Sequence, residues 1–145
     1  FQWGSRRIGP DLARVGGKYA DTWHYKHMLD PREISPGSNM PPYPHLATWT
    51  VDFAGTASKM RALRTAGVPY DAEQIQMSEQ SAQAAATAIA TGLANEAGVK
   101  VCEAEGDGCE LVVNSRLVAL IAYLQRLGKV PEGESLAAAT GEAGR

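Results

Sequence analysis

The most regular alternation of apolar and polar positions lies near the end of the chain. In "NSRLVALIAYLQRLGK", Leu117, Leu120, Ile121, Leu124 and Leu127 recur at three- and four-residue spacing. That is one apolar stripe of an amphipathic helix. Asn114 or Ser115 stands as its N-cap and Gly128 as its stop. Upstream, "FAGTASKMRALRTAG" (53–67) places Ala57, Met60, Leu63 and Arg64 at helical spacing and closes on Gly67. In "VPYDAEQ", Asp71 and Gln74 have the spacing of a capping box, which predicts a long Ala-rich helix over about 72–97. Earlier still, "GPDLARVGG" predicts a short helix that starts at or just after Pro10 and stops at Gly16-Gly17. A second short helix is predicted in "ADTWHYKHMLDP", with Asp21 as N-cap and Asp30-Pro31 as its end. Residues 31–50 read as a long irregular loop, and Val99, Val101, Leu111 and Val113 as the flanks of a small hairpin. The pattern predicts an all-α protein with long loops.

Length and charge narrow the function. A chain of 145 residues fits one domain. Its 14 Lys and Arg against 16 Asp and Glu form no basic block, which argues against a nucleic-acid partner. The longest apolar segment, "LVALIAYL" (117–124), falls well short of the roughly 20 residues that span a bilayer. The chain as given is expected to be soluble. It opens at Phe1 as though mid-domain, and is expected to be a processed or truncated product. There is no nucleophile elbow, no phosphate loop, and no cluster of His with carboxylates, so an enzyme of its own is not expected.

Two cysteines frame "CEAEGDGC". The spacing fits neither a zinc pair nor a redox Cys-X-X-Cys, and no His follows either one, so Cys102 and Cys109 cannot anchor a haem covalently. A local disulfide and two free thiols both remain open. The bond would contribute about 2.5 kcal/mol in the chain-entropy model.

The heptapeptide "NMPPYPH" (39–45) sets a flexible thioether on stiff backbone. Pro41, Pro42 and Pro44 each lock their own φ and bias the preceding residue to extended conformations. Met40 is therefore held in one place. A proline-rich surface turn with Met40 as a plug is the simplest reading of these seven residues alone.

A wider comparison changes that reading. "WGSRRIGPDLARVGGKYADTWHYKHMLDPREISPGSNMPPYP" and "KMRALRTAGVPYDAEQI" closely resemble the mono-haem cytochrome c subunit of cbb3-type cytochrome c oxidases, subunit II of the FixO or CcoO type. "ALIAYLQRLG" resembles the C-terminal helix of class I cytochromes c, in which an aromatic at the place of Tyr123 packs on the haem-bearing N-terminal helix. The resemblance covers about residues 1–76 and 114–128, with 77–113 as an unrecognised insert and 131–145 as a flexible tail. It implies that residues 1–130 are the C-terminal part of a cytochrome c-like domain. It implies Met40 as the sixth ligand of a haem c iron, and Pro10 as the residue whose carbonyl accepts a hydrogen bond from the proximal His. Trp3, Tyr19, Trp23 and Tyr43 are expected near the haem edge or its propionates, and Arg6 and Arg7 near the propionates or in solvent. Met28, Met60 and Met77 are expected in ordinary packing, and His24 and His27 as surface or capped residues. The implied setting is the periplasmic face of the bacterial inner membrane, which favours the disulfide.

The family's Cys-X-X-Cys-His and its membrane anchor are absent from these residues, so the chain alone is expected to carry no covalent haem. The implied function is electron relay from another haem c subunit towards the catalytic haem–copper subunit. The alternative is a haem-free helical periplasmic interaction domain; a Cys-X-X-Cys-His encoded shortly upstream of Phe1 would discriminate between them. Without a haem-bearing helix the apolar stripe of 117–127 needs another cover, from helices 53–66 and 72–97 or from a second copy in a homodimer.

Overall fold

The computed structural model describes residues 9–129; Trp3, Arg6, Arg7 and the expected tail at 131–145 lie outside them. The elements run α1 (Asp21–Leu29), α2 (Pro31–Ile34), a 3₁₀ turn (Pro44–Ala47), α3 (Thr56–Thr65), α4 (Ala72–Gln76), α5 (Ser78–Ala97), β1 (Val101–Cys102), β2 (Leu111–Val112) and α6 (Arg116–Arg126). The fold is mostly helical, as the pattern predicts.

α6 organises the core. The Ser115 hydroxyl oxygen accepts from the Val118 N–H at 3.3 Å, which caps the helix start. Leu117, Val118 and Ile121 are fully buried and Leu124 nearly so. The cover of Leu117, Val118 and Ile121 comes from Tyr25 of α1, Ala47 of the 3₁₀ turn, Ala86 and Leu93 of α5, Val99 ahead of β1, and Leu111 of β2. Each large side chain so buried contributes roughly 1.5–3 kcal/mol. Leu117, Ile121 and Leu124 of the stripe are covered within the chain, while Leu120 and Leu127 are half-buried. Of the two helices expected to cover the stripe, α5 does so; α3 packs on α4 and α5 instead.

Five expectations need correction. Asp21 is the first residue of α1 and not its cap; Ala20 stands at the cap position with no side-chain hydrogen bond. Residues 10–16 form turns, not a helix: the Val15 N–H donates to the Leu12 carbonyl, and the Asp11 carboxylate accepts from the Ala13 N–H. So short a segment between glycines cannot offset the cost of nucleating a helix. The helix expected over 72–97 breaks at Met77. The Asp71–Gln74 capping box is present, but α4 ends after Gln76, and the buried Ser78 hydroxyl donates back to the Ile75 carbonyl at 2.8 Å. The 31–50 loop contains α2 and the 3₁₀ turn. The strands around the cystine pair in parallel register, Val101 with Leu111 and Cys102 with Val112, and so do not form a hairpin.

Candidate functional site

The Met40 loop hangs from the end of α1. Asp30 leaves the helix in extended conformation, and its carboxylate accepts from the Arg32 N–H at 3.0 Å. Pro31 then starts α2, which the Ser35 N–H closes on the Pro31 carbonyl. Gly37 takes a positive φ of 85° in the turn that follows. The Met40 N–H donates to the Ser38 hydroxyl oxygen at 3.2 Å, and three residues on, the Tyr43 N–H donates to the Met28 carbonyl at 2.8 Å. The 3₁₀ turn that follows buries Ala47 in the core. Met40, half-buried, thus sits between two backbone anchors, with Pro41 and Pro42 exposed beside it.

Pro10 is held by a different part of the fold. Its segment runs along the end of α6: the Gly16 N–H donates to the Leu127 carbonyl at 2.9 Å, and the Gly17 N–H to Gln125 Oε1 at 2.8 Å. Pro10 is exposed in irregular backbone, and among the described residues no N–H donates to its carbonyl oxygen. Gln125 is a residue the pattern did not single out. Its Nε2 also donates to the Tyr19 carbonyl and the Asp21 carboxylate, so one side chain ties Gly17, Tyr19 and the start of α1 to α6.

The α1 histidines depart from their expected places. His24 is buried, 2 % exposed, and neither its Nε2 nor Nδ1 of His27 has a hydrogen-bond partner among the described residues. Both stand on a helix whose apolar periodicity is poor, so spacing does not mark His24 for burial. Tyr19, Trp23 and His27 stack in a column, with ring centroids 4.1 and 4.6 Å apart and planes within 14°. His24 meets Trp23 edge-on at 5.3 Å. Burial pushes the His24 imidazole below its ordinary pKa; the Asp21 carboxylate opposes this and His27 adds to it. Burial and, next, the Glu110 carboxylate raise the Tyr25 phenol. In a second aromatic group His45 neighbours both Tyr43, half-buried, and Trp49, exposed, and the Arg116 guanidinium lies 5.1 Å from the Trp49 ring. Met28 packs against the core, Met60 is half-buried and Met77 is largely exposed. Tyr123 is 61 % exposed on the outward face of α6.

Covalent haem attachment needs two free thiols followed by a His. Cys102 and Cys109 are bonded to each other, their Cα atoms 6.0 Å apart, and no other cysteine exists in the chain. Among the described residues, then, the donor chemistry fits the thioether side of a haem c site and not its covalent side. No group of three or more His, Cys, Asp or Glu comes together among them to hold a bare metal ion. No helix of the described residues is long and apolar enough to cross a membrane.

No curated protein matches the chain. The family model described as cytochrome c oxidase, mono-haem subunit/FixO matches residues 1–130, a range that includes the 77–113 stretch outside the resemblance. Residues 1–130 are nine-tenths of the sequence, and the chain belongs to the FixO family of mono-haem cytochrome c oxidase subunits.

Proposed function

We propose that this chain is the methionine-bearing part of the haem c domain of a cbb3-type oxidase, and that Met40 is the axial thioether ligand of the intact subunit. The family carries the coarse role: an electron-transfer subunit of a cytochrome c oxidase, with other oxidase subunits as partners and haem c as cofactor. The finer reading rests on one observation, the bracing of Met40 between Ser38 and the Tyr43–Met28 hydrogen bond. A ligand loop fixed by its own backbone moves little when the charge of the metal changes, which keeps reorganisation small. Bound haem would supply a one-electron iron couple, and a Met/His pair raises its potential relative to two His ligands. Pro10 has the matching part: a carbonyl with no donor from the described residues, on a segment tied to α6, available to orient a proximal imidazole through its N–H. The electrons would pass from another haem c subunit to the catalytic haem–copper subunit. The cystine supports placement in an oxidising compartment, the periplasmic face.

The test is Met40→Ala in the intact, haem-loaded subunit. It should abolish the long-wavelength charge-transfer band of Met-ligated ferric haem and lower the reduction potential. A band that survives unchanged would remove Met40 from the site. In the chain itself the substitution should cost less than about 1 kcal/mol, because Met40 is only half-buried.

A further inference from the structure

Arg61 and Arg64 lie one turn apart on α3, both exposed. Neither has an ion-pair or side-chain hydrogen-bond partner among the described residues. With Thr65 they form one wall of an open cavity of about 570 Å³; Ala72, Ile75 and Gln76 of α4 form the other. Ile75 is buried and gives the cavity an apolar floor. Among the described residues no carboxylate lines it. Asp71, at the start of α4, is occupied in capping, accepting from the Gln74 N–H at 2.6 Å. α3 itself carries Lys59, Arg61 and Arg64 and no acidic residue, in a chain whose net charge is −2.

Two unpaired guanidinium groups side by side select for the number of oxygens they can share. A carboxylate has two and saturates one guanidinium fork. A phosphate has oxygens for both, and the fork geometry of Arg suits it better than the point charge of Lys. An apolar floor beneath such a pair favours a phosphate carried on carbon over a bare ion.

We propose that the α3–α4 cavity binds a phosphate group carried on a small apolar body, with Arg61 and Arg64 clasping the phosphate oxygens and Ala72 and Ile75 against the carbon. The site is independent of the electron-transfer reading and would stand if Met40 proved not to be a ligand. Its phosphate has two sources, a soluble phosphate or a phospholipid headgroup.

The experiment titrates the isotope-labelled full chain, followed by amide shifts, with three probes: inorganic phosphate, dihexanoyl phosphatidylglycerol and octyl glucoside, the last two below their micelle thresholds. Saturable shifts confined to residues 61–76 are expected with phosphatidylglycerol. Tighter binding of phosphatidylglycerol than of inorganic phosphate assigns the lipid source; equal binding of the two assigns a soluble phosphate and overturns the carbon contacts at Ala72 and Ile75. Arg61→Gln with Arg64→Gln should weaken either by at least about tenfold, the loss expected when charge-assisted hydrogen bonds go. Arg61→Lys with Arg64→Lys should fall between. Both positions are exposed, so the variants should keep the wild-type circular dichroism spectrum. Absence of saturable binding with both phosphate probes, octyl glucoside binding as tightly as phosphatidylglycerol, or unchanged affinity in the Gln variant would overturn the proposal.

Discussion

Gln125 and Asp21 stand 104 residues apart in sequence, and the Gln125 amide nitrogen donates to the Asp21 carboxylate at 2.6 Å. The same nitrogen donates to the Tyr19 carbonyl, and the amide oxygen accepts from the Gly17 N–H, each at 2.8 Å. The helix from whose far end the Met40 loop hangs is thus registered on α6 by one side chain. Gln125→Ala removes all three bonds in a half-buried place and should cost about 2–3 kcal/mol in urea denaturation. Gln125→Glu should be at least as costly at neutral pH, because it faces the Asp21 carboxylate with a second one. Acidification should relieve part of that loss; an unchanged midpoint for either variant would remove Gln125 from this role.

Glycine substitutions should split in sign. Gly128 has a φ of 77°, and a Cβ there would stand 2.7 Å from the Ala13 carbonyl oxygen and 2.8 Å from Arg14 Cα. Backbone atoms cannot step aside, so Gly128→Ala should destabilise by more than about 1 kcal/mol. Gly92, inside α5, has nothing within 4 Å of its added Cβ. Gly92→Ala should therefore stabilise by about 0.5–1 kcal/mol. Thermal or urea unfolding of the pair checks both signs.

Stability should fall as the solution is acidified through the histidine range. Burial depresses the folded-state pKa of His24, so above the ordinary imidazole value of 6.5 the ring is neutral in both states and imposes no penalty. Below 6.5 the unfolded chain binds the proton first, and stability is lost progressively until the pH passes the lowered folded value. His24→Leu should flatten that part of the profile. A variant that keeps the wild-type slope between neutral pH and pH 5 would show that another group carries it.

The mass of the non-reduced protein should be two hydrogens below the dithiol value. Replacing both Cys102 and Cys109 with Ser should lower stability by about 2–3 kcal/mol, the loop-closure term for so short a ring. Two alkylatable thiols in protein recovered from an oxidising compartment would contradict the bond.

What could be read from the residues depended on how local the cause was. Ser115, the Asp71–Gln74 box and the Leu117–Ile121–Leu124 face are set within one or two turns, and each appears where the pattern places it. The break at Met77 and the turns at 10–16 also have local causes, but weak ones: a Ser hydroxyl competing for a carbonyl, and a segment too short to nucleate. The burial of His24 was invisible because α1 has almost no amphipathic pattern; contact with α5 and α6 decides which residues it hides. Met40 was legible through its prolines, which speak for rigidity whatever the ligand. Its anchoring by Tyr43 to Met28 depends on a backbone meeting across 15 residues and leaves no mark on composition.

The parallel pairing of β1 and β2 has a consequence for proteolysis. Because the two strands run the same way, the chain between them must travel back along their length, and residues 103–108 are exposed as they do so. An acid-specific protease should find Glu103 and Glu105 there before it reaches the covered helices. Cleavage would nick the backbone without releasing a fragment, since the 102–109 bond bridges the cut and Val113 still donates to the Cys102 carbonyl. The nicked protein should migrate as one species until a reductant is added, and then separate into two pieces, one ending in the α5–β1 segment and the other beginning just before β2.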